Sequence, residues 1–135
     1  MLAKLKFIAF VPNYMNPRQS TLYLIEKKEN IILPIKLANQ KIKSGKTLQG
    51  AFGRFLACVD AKILGTTIYK YLDGTFYTYL NISYENNHIE LNIDLVDAIS
   101  MVRKINAGIY VHWDILYDQG IKVSARMIHD ALEKY

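Results

Sequence analysis

Alternation of apolar and polar residues predicts strands along most of this chain. Leu2 to Val11 alternates well enough for a first strand, with Lys4 and Lys6 interrupting the apolar positions at strand period. Thr21 to Glu26 predicts a second strand and Ile31 to Leu37 a third, joined by the charged turn Lys27 to Asn30. These three form an expected antiparallel meander. Pro34 lacks a backbone donor, which puts the third strand at an edge or on a bulge. Thr47 then caps a helix in which Leu48, Ala51, Phe52, Phe55, Leu56 and Val59 recur at helical spacing. Gly50 and Gly53 flank that stripe; each costs ~1 kcal/mol relative to Ala, and either admits a neighbouring backbone or loosens the first turns.

The stretch from Asp73 to Leu116 organises the remainder. Ala61 to Tyr71 predicts a fourth strand, and Asp73-Gly74 is a turn dipeptide. Phe76, Tyr77, Tyr79, Leu80, Ile82 and Tyr84 make an aromatic and β-branched run typical of a fifth strand. Asn86-Asn87 suits a reversal, because Asn tolerates positive φ. Ile89, Leu91 and Ile93 then alternate with His88, Glu90, Asn92 and Asp94, a strand with one wet face. Asp94 caps the helix that follows, Asp97 adds a favourable charge in its first turn, and Leu95, Ala98, Ile99, Val102 and Ile105 form its buried stripe. Gly108 is placed to end it in the left-handed conformation, and Ile109 to Val111 is a short buried strand. Asp114 to Tyr117 predicts one helical turn closed by Gly120. Ser124 caps a last helix to about Lys134, with Ala125, Ile128, Ala131 and Leu132 inward. The expected fold is a single α+β domain over residues 1–135: an antiparallel or mixed sheet, two main helices and a C-terminal helical extension over 120–135. Two strand-rich units, each followed by a helix, suggest an internal pseudo-repeat.

Composition changes this picture little. Hydrophobic residues make up 51% of the chain, enough for a core. No apolar run approaches the ~20 residues of a membrane span, and no signal peptide is recognisable, so no membrane association and a cytoplasmic location are expected. The single cysteine, Cys58, excludes an internal disulfide and is read as a buried structural thiol among apolar helix neighbours, ahead of a nucleophile. Charge is more informative in its distribution than in its net value of +5. Between Glu29 and Asp60 the chain carries Lys36, Lys41, Lys43, Lys46 and Arg54 and no acid. Between Lys70 and Arg103 it carries Asp73, Glu85, Glu90, Asp94 and Asp97 and no base. Such blocks fit a phosphate-binding face beside a carboxylate site, or complementary surfaces that pair within the fold or between subunits.

The candidate chemistry is phosphodiester hydrolysis or phosphate binding. Mg²⁺ or Mn²⁺ held by carboxylates activates water and neutralises phosphoryl charge. Asp94 and Asp97 lie three apart at a helix start, with Glu90 on the preceding strand; together they are the best available metal ligands, and Asp94 and Asp97 the best catalytic carboxylates. The structural alternative makes Asp94 a cap, Asp97 a dipole partner and Glu90 a solvated strand residue. His112, ending a strand beside Trp113, is the best general acid or base; His88 and His129 have no zinc-site spacing with it. Lys36, Lys41, Lys43 and Lys46 are candidate contacts to DNA or RNA phosphates, and exposed members of the ten tyrosines can stack on single-stranded bases. Gly45-Lys46-Thr47 lacks the upstream glycine of a P-loop, and no organic cofactor is implied.

DGTFY at Asp73 to Tyr77, the strand HIELNI, DAI at Asp97 to Ile99, IYV, and Ile115-Leu116 together resemble the bifunctional nuclease domain family. Ile32-Leu33-Pro34-Ile35 resembles the family's V-L-P-I strand, and Thr47 to Asp60 is similar to the helix the family opens with T-H-D-L. The likeness runs from about Leu5 to Leu116. It implies hydrolysis of DNA and RNA and an oligomer, for which a dimer is expected. The chain departs from the pattern at Leu48 and Gln49, where the family has histidine and acid. It departs again at Asp94-Leu95-Val96, where the family has R-P-S, and at Asn92, where it has an acid. Two readings follow: a divergent metal-dependent nuclease, or an oligomeric binding or scaffold protein that keeps the fold without the site.

Overall fold

A computed structural model of the chain describes residues 1–16, 18–38, 48–124, 126 and 129. Within them the elements run β1 (Leu2–Pro12), β2 (Gln19–Glu26), β3 (Ile31–Ala38), α1 (Leu48–Cys58), β4 (Lys62–Leu72), β5 (Thr75–Tyr84), β6 (Asn87–Ile93), α2 (Leu95–Lys104), β7 (Gly108–His112), α3 (Trp113–Gln119) and β8 (Ile121–Lys122). The strands form one sheet in the order β6-β5-β4-β7-β1-β2-β3-β8. The chain therefore has the α+β fold its pattern predicts. β1-β2-β3 is an antiparallel meander followed by α1, and β4-β5-β6 is a second one followed by α2. β7 lies between them, parallel to β4 and antiparallel to β1. Beyond β3, β8 pairs only with Ile31 and Ile32, so Pro34 sits on an edge, where its missing donor is tolerated.

Strand parity divides the sheet into two faces. Ala3, Leu5, Leu22, Leu24, Leu33, Ile35, Ile68, Leu80, Ile82, Ile109 and Val111 are buried on one face, together with Leu56 of α1, Ile99 and Val102 of α2, and Leu116 of α3. Thr66 and Thr78 also point into this layer, and their hydroxyls are satisfied by the carbonyls of Tyr79 (2.9 Å) and Ile93 (2.7 Å). α1, α2 and α3 thus serve one side of the sheet, and no helix among the described residues is long and apolar enough to cross a membrane.

Local chemistry sets the element boundaries. Both hairpins of the second meander turn on two residues with positive φ, Asp73-Gly74 (50°, 82°) and Glu85-Asn86 (49°, 65°), which matches the twist of the strands they join. The second reversal falls one residue earlier than Asn86-Asn87, because Asn87 pairs with Tyr84 and opens β6. Asp94 caps α2, its carboxylate accepting from Val96 N at 3.2 Å. The helix stops before Gly108: Asn106 takes the left-handed conformation (φ 57°), while Ala107 N donates to Val102 O (2.8 Å) and Asn106 N to Arg103 O (3.2 Å). Ile105, expected in the buried stripe, lies past the last turn and is 51% exposed. Phe55 (61%) and Val59 (38%) are likewise exposed, because α1 rests mainly on α2 and covers only a narrow stripe at Phe52 and Leu56. Cys58 is exposed, not buried, on the same outward side. A Cβ at Gly53 would meet nothing within 4 Å among the described residues, so no described backbone approaches there. The expected Thr47 cap lies outside the described residues, as does most of the expected helix from Ser124 to Lys134.

Candidate functional site

The face of the sheet opposite the helices carries the second half of every strand's alternation. Following the register across it gives Asn92 on β6, Tyr79 on β5, Thr67 on β4, Tyr110 on β7 and Lys4 on β1. At about 4.8 Å per strand this row spans roughly 20 Å, room for several stacked bases. Tyr69 and Tyr77 flank it on β4 and β5, and Tyr23 of β2 lies on the same face further along, opposite Ala9. Lys6, Lys36, Lys62 and Lys70 share this face with Lys4, and all five lysines are exposed. Glu90 is the acid that strand parity places among them.

The aromatic side chains are held in place. The Tyr69 and Tyr79 rings lie 5.2 Å apart, tilted by 30°. Tyr69 Oη donates to Asn92 Oδ1 (3.1 Å), Asn81 Nδ2 donates to Thr67 Oγ1 (2.9 Å), and His88 Nε2 lies 2.8 Å from Asn81 Oδ1. Thr67 is only 1% exposed, although it belongs to the open face: its neighbours roof it over. Lys70 Nζ sits 5.5 Å from the centre of the Tyr77 ring, a cation–π contact. Tyr110 lies over a pair of glycines. A Cβ on Gly108 would come within 2.6 Å of Tyr110 Oη, and one on Gly65 within 2.7 Å of Gly108 O and 3.2 Å of the Tyr110 ring. Gly65→Ala therefore pushes backbone against backbone. It is expected to destabilise the protein by about 1–3 kcal/mol, the usual range for overpacking. Urea unfolding checks this, and an unchanged midpoint would mean that β4 and β7 can part freely.

The described residues among those proposed from the sequence fall on several elements. Asp94 is an exposed helix cap, Asp97 is half-buried in the first turn of α2, and Glu90 is exposed on β6. Among the described residues no three His, Cys, Asp or Glu side chains group as metal ligands, so Glu90, Asp94 and Asp97 make no three-carboxylate centre. His112 ends β7 opposite Leu2 and makes no side-chain cap bond to α3. Lys36 is on the open face; Lys41, Lys43 and Lys46 lie outside the described residues. Lys4, Lys6, Lys62 and Lys70 were not singled out by segment charge. Their signal was parity: Lys4 and Lys6 alternate with the buried Ala3 and Leu5.

Two further features lie at the margin of this face and on α3. A shallow polar hollow of about 340 Å³ is lined by Val59, Asp60, Lys62, Ser83, Glu85 and Asn86, where acids and a lysine mix. On α3, the Tyr117 hydroxyl donates to Glu29, and that bond together with the carboxylate's charge raises the phenol above its ordinary pKa. Compared with known protein families and with curated protein sequences, the chain matches none.

Proposed function

We propose that this protein binds single-stranded nucleic acid across the open face of its sheet. The observation that carries this reading is the interleaving of tyrosines with lysines on the face opposite α1, α2 and α3. Aromatic rings stack on bases of any sequence, and lysines neutralise the phosphates between them. A single strand can lay unpaired bases on such a surface, whereas a duplex keeps its bases stacked inside. The resemblance of the short motifs to the bifunctional nuclease domain family points to the same class of ligand. The donor set does not favour hydrolysis, because Glu90, Asp94 and Asp97 form no three-ligand group among the described residues. We therefore assign Mg²⁺ or Mn²⁺ no site and read the protein as a binder.

Titration of labelled single-stranded RNA, single-stranded DNA and duplex across a salt series tests this. Single strands are expected to bind more tightly than duplex, with affinity falling linearly on logarithmic axes as salt rises. Reversing Lys4→Glu and Lys6→Glu together reduces the steepness of that line by about 1.4, at ~0.7 per phosphate contact. Absence of binding at low salt, or a slope the reversal leaves unmoved, rejects the reading. A parallel incubation with Mg²⁺, Mn²⁺ or EDTA separates binding from turnover. Cleavage abolished both by EDTA and by Asp97→Ala would restore the hydrolytic reading.

A further inference from the structure

The sheet ends very differently on its two sides. At one end β8 is two residues long. At the other, β6 is seven residues long and pairs with β5 without a bulge. It contains no proline and no lysine, the residues that usually blunt an edge. Ile89 and Leu91 stand 42% and 38% exposed on the helix side, beyond the reach of α2. The two-residue turn at Glu85-Asn86 makes Tyr84 and Asn87 a pair that exchanges both hydrogen bonds. Odd-numbered residues of β6 thus direct their backbone groups to β5. The N–H and C=O of His88, Glu90 and Asn92 point outward, where no strand among the described residues meets them.

We propose that β6 pairs antiparallel with β6 of a second copy, around a two-fold axis at Ile89. Charge selects both the occupant and the register. An axis at Glu90 gives the longest overlap but sets the two Glu90 carboxylates opposite each other, which is unfavourable. Moving the axis to Ile89 places His88 of each copy opposite Glu90 of the other, twice over, and Ile89 opposite its own copy. The edge is therefore complementary to itself, and outward backbone groups of both strands meet in bonded pairs. An axis perpendicular to the sheet keeps both open faces on one side, so the two copies present one continuous surface. This inference does not depend on what that surface binds.

Sedimentation of the full chain, in a Cys58→Ser background, provides the test. The protein is expected to dimerise reversibly. Glu90→Lys, which faces a cation with the His88 side chain, weakens association about tenfold, and adding His88→Glu restores it. Residue 89 faces itself in a non-bonded pair with Cα atoms about 4.5 Å apart, within disulfide range. Ile89→Cys is therefore expected to crosslink on oxidation and Leu91→Cys, opposite Asn87, is not. All four positions are exposed on an edge, so circular dichroism is expected to show the fold unchanged. A chain that stays monomeric, an association indifferent to Glu90→Lys, or crosslinking through Leu91→Cys in place of Ile89→Cys overturns the proposal.

Discussion

Replacing Tyr69 and Tyr79 together by alanine is expected to weaken binding of a single-stranded oligonucleotide about ten- to a hundredfold. The two rings form one tilted platform, 5.2 Å between centres, fixed by the Tyr69 bond to Asn92. Removing a platform loses one stacked base, worth ~1–3 kcal/mol. Tyr69→Phe with Tyr79→Phe keeps the rings and sacrifices the hydroxyls, so it is expected to retain most of the affinity. That contrast separates stacking from hydrogen bonding. The salt dependence should stay almost unchanged in both variants, because no charge is altered. Fluorescence anisotropy measures both quantities. Equal losses in the alanine and phenylalanine variants would show that the rings themselves are not the binding element.

Ile99→Ala is expected to cost about 2–5 kcal/mol of stability, the range for deleting a fully buried aliphatic side chain. Ile99 is 0% exposed, on the face of α2 that presses against β4 and β5. Against a total of ~5–15 kcal/mol for a domain, such a loss is large and should lower the melting temperature by roughly 10 °C. Ile105→Ala is the matched control. It lies six residues further on, at 51% exposure, and is expected to change stability by no more than ~0.5 kcal/mol. Similar shifts for the two would mean that α2 continues its packing beyond Lys104.

Much of the fold is legible in the residues because its rules are local. Asp94 is read as a cap because a carboxylate before an apolar helical stripe has one obvious use, and the structure uses it so. Asp73-Gly74 turns the chain for the same kind of reason. Errors occur where two residues compete for one role. Asn106 ends α2 ahead of Gly108, and Gly108 is needed instead beneath the Tyr110 ring. Phe55, Val59 and Cys58 are misread because periodicity shows that a helix has an apolar side without showing how much of it a neighbour covers.

The candidate surface is less legible, for a different reason. Lys4 and Tyr110 are opposite each other, and Tyr110 is opposite Thr67, only because β7 enters between β1 and β4. Nothing in the composition of these segments announces that pairing. Charge by segment points to Lys41, Lys43 and Lys46, whereas strand parity points to Lys4 and Lys6. The carboxylates at Glu90, Asp94 and Asp97 are close in sequence, yet one lies mid-strand on β6 and the others at the start of α2, and they form no three-ligand group among the described residues.

The position of β7 has a consequence for how the molecule is made. Each three-stranded meander is built from neighbours in sequence and can form early, since closing short loops is entropically cheap. The link between them is five residues long, Gly108–His112, and comes after both. During synthesis the two halves must wait, with the flanks of β1 and β4 unzipped, until that segment has left the ribosome. Assembly of the whole sheet is thus a late event governed by distant contacts, and an interruption before residue 108 leaves two separate half-sheets.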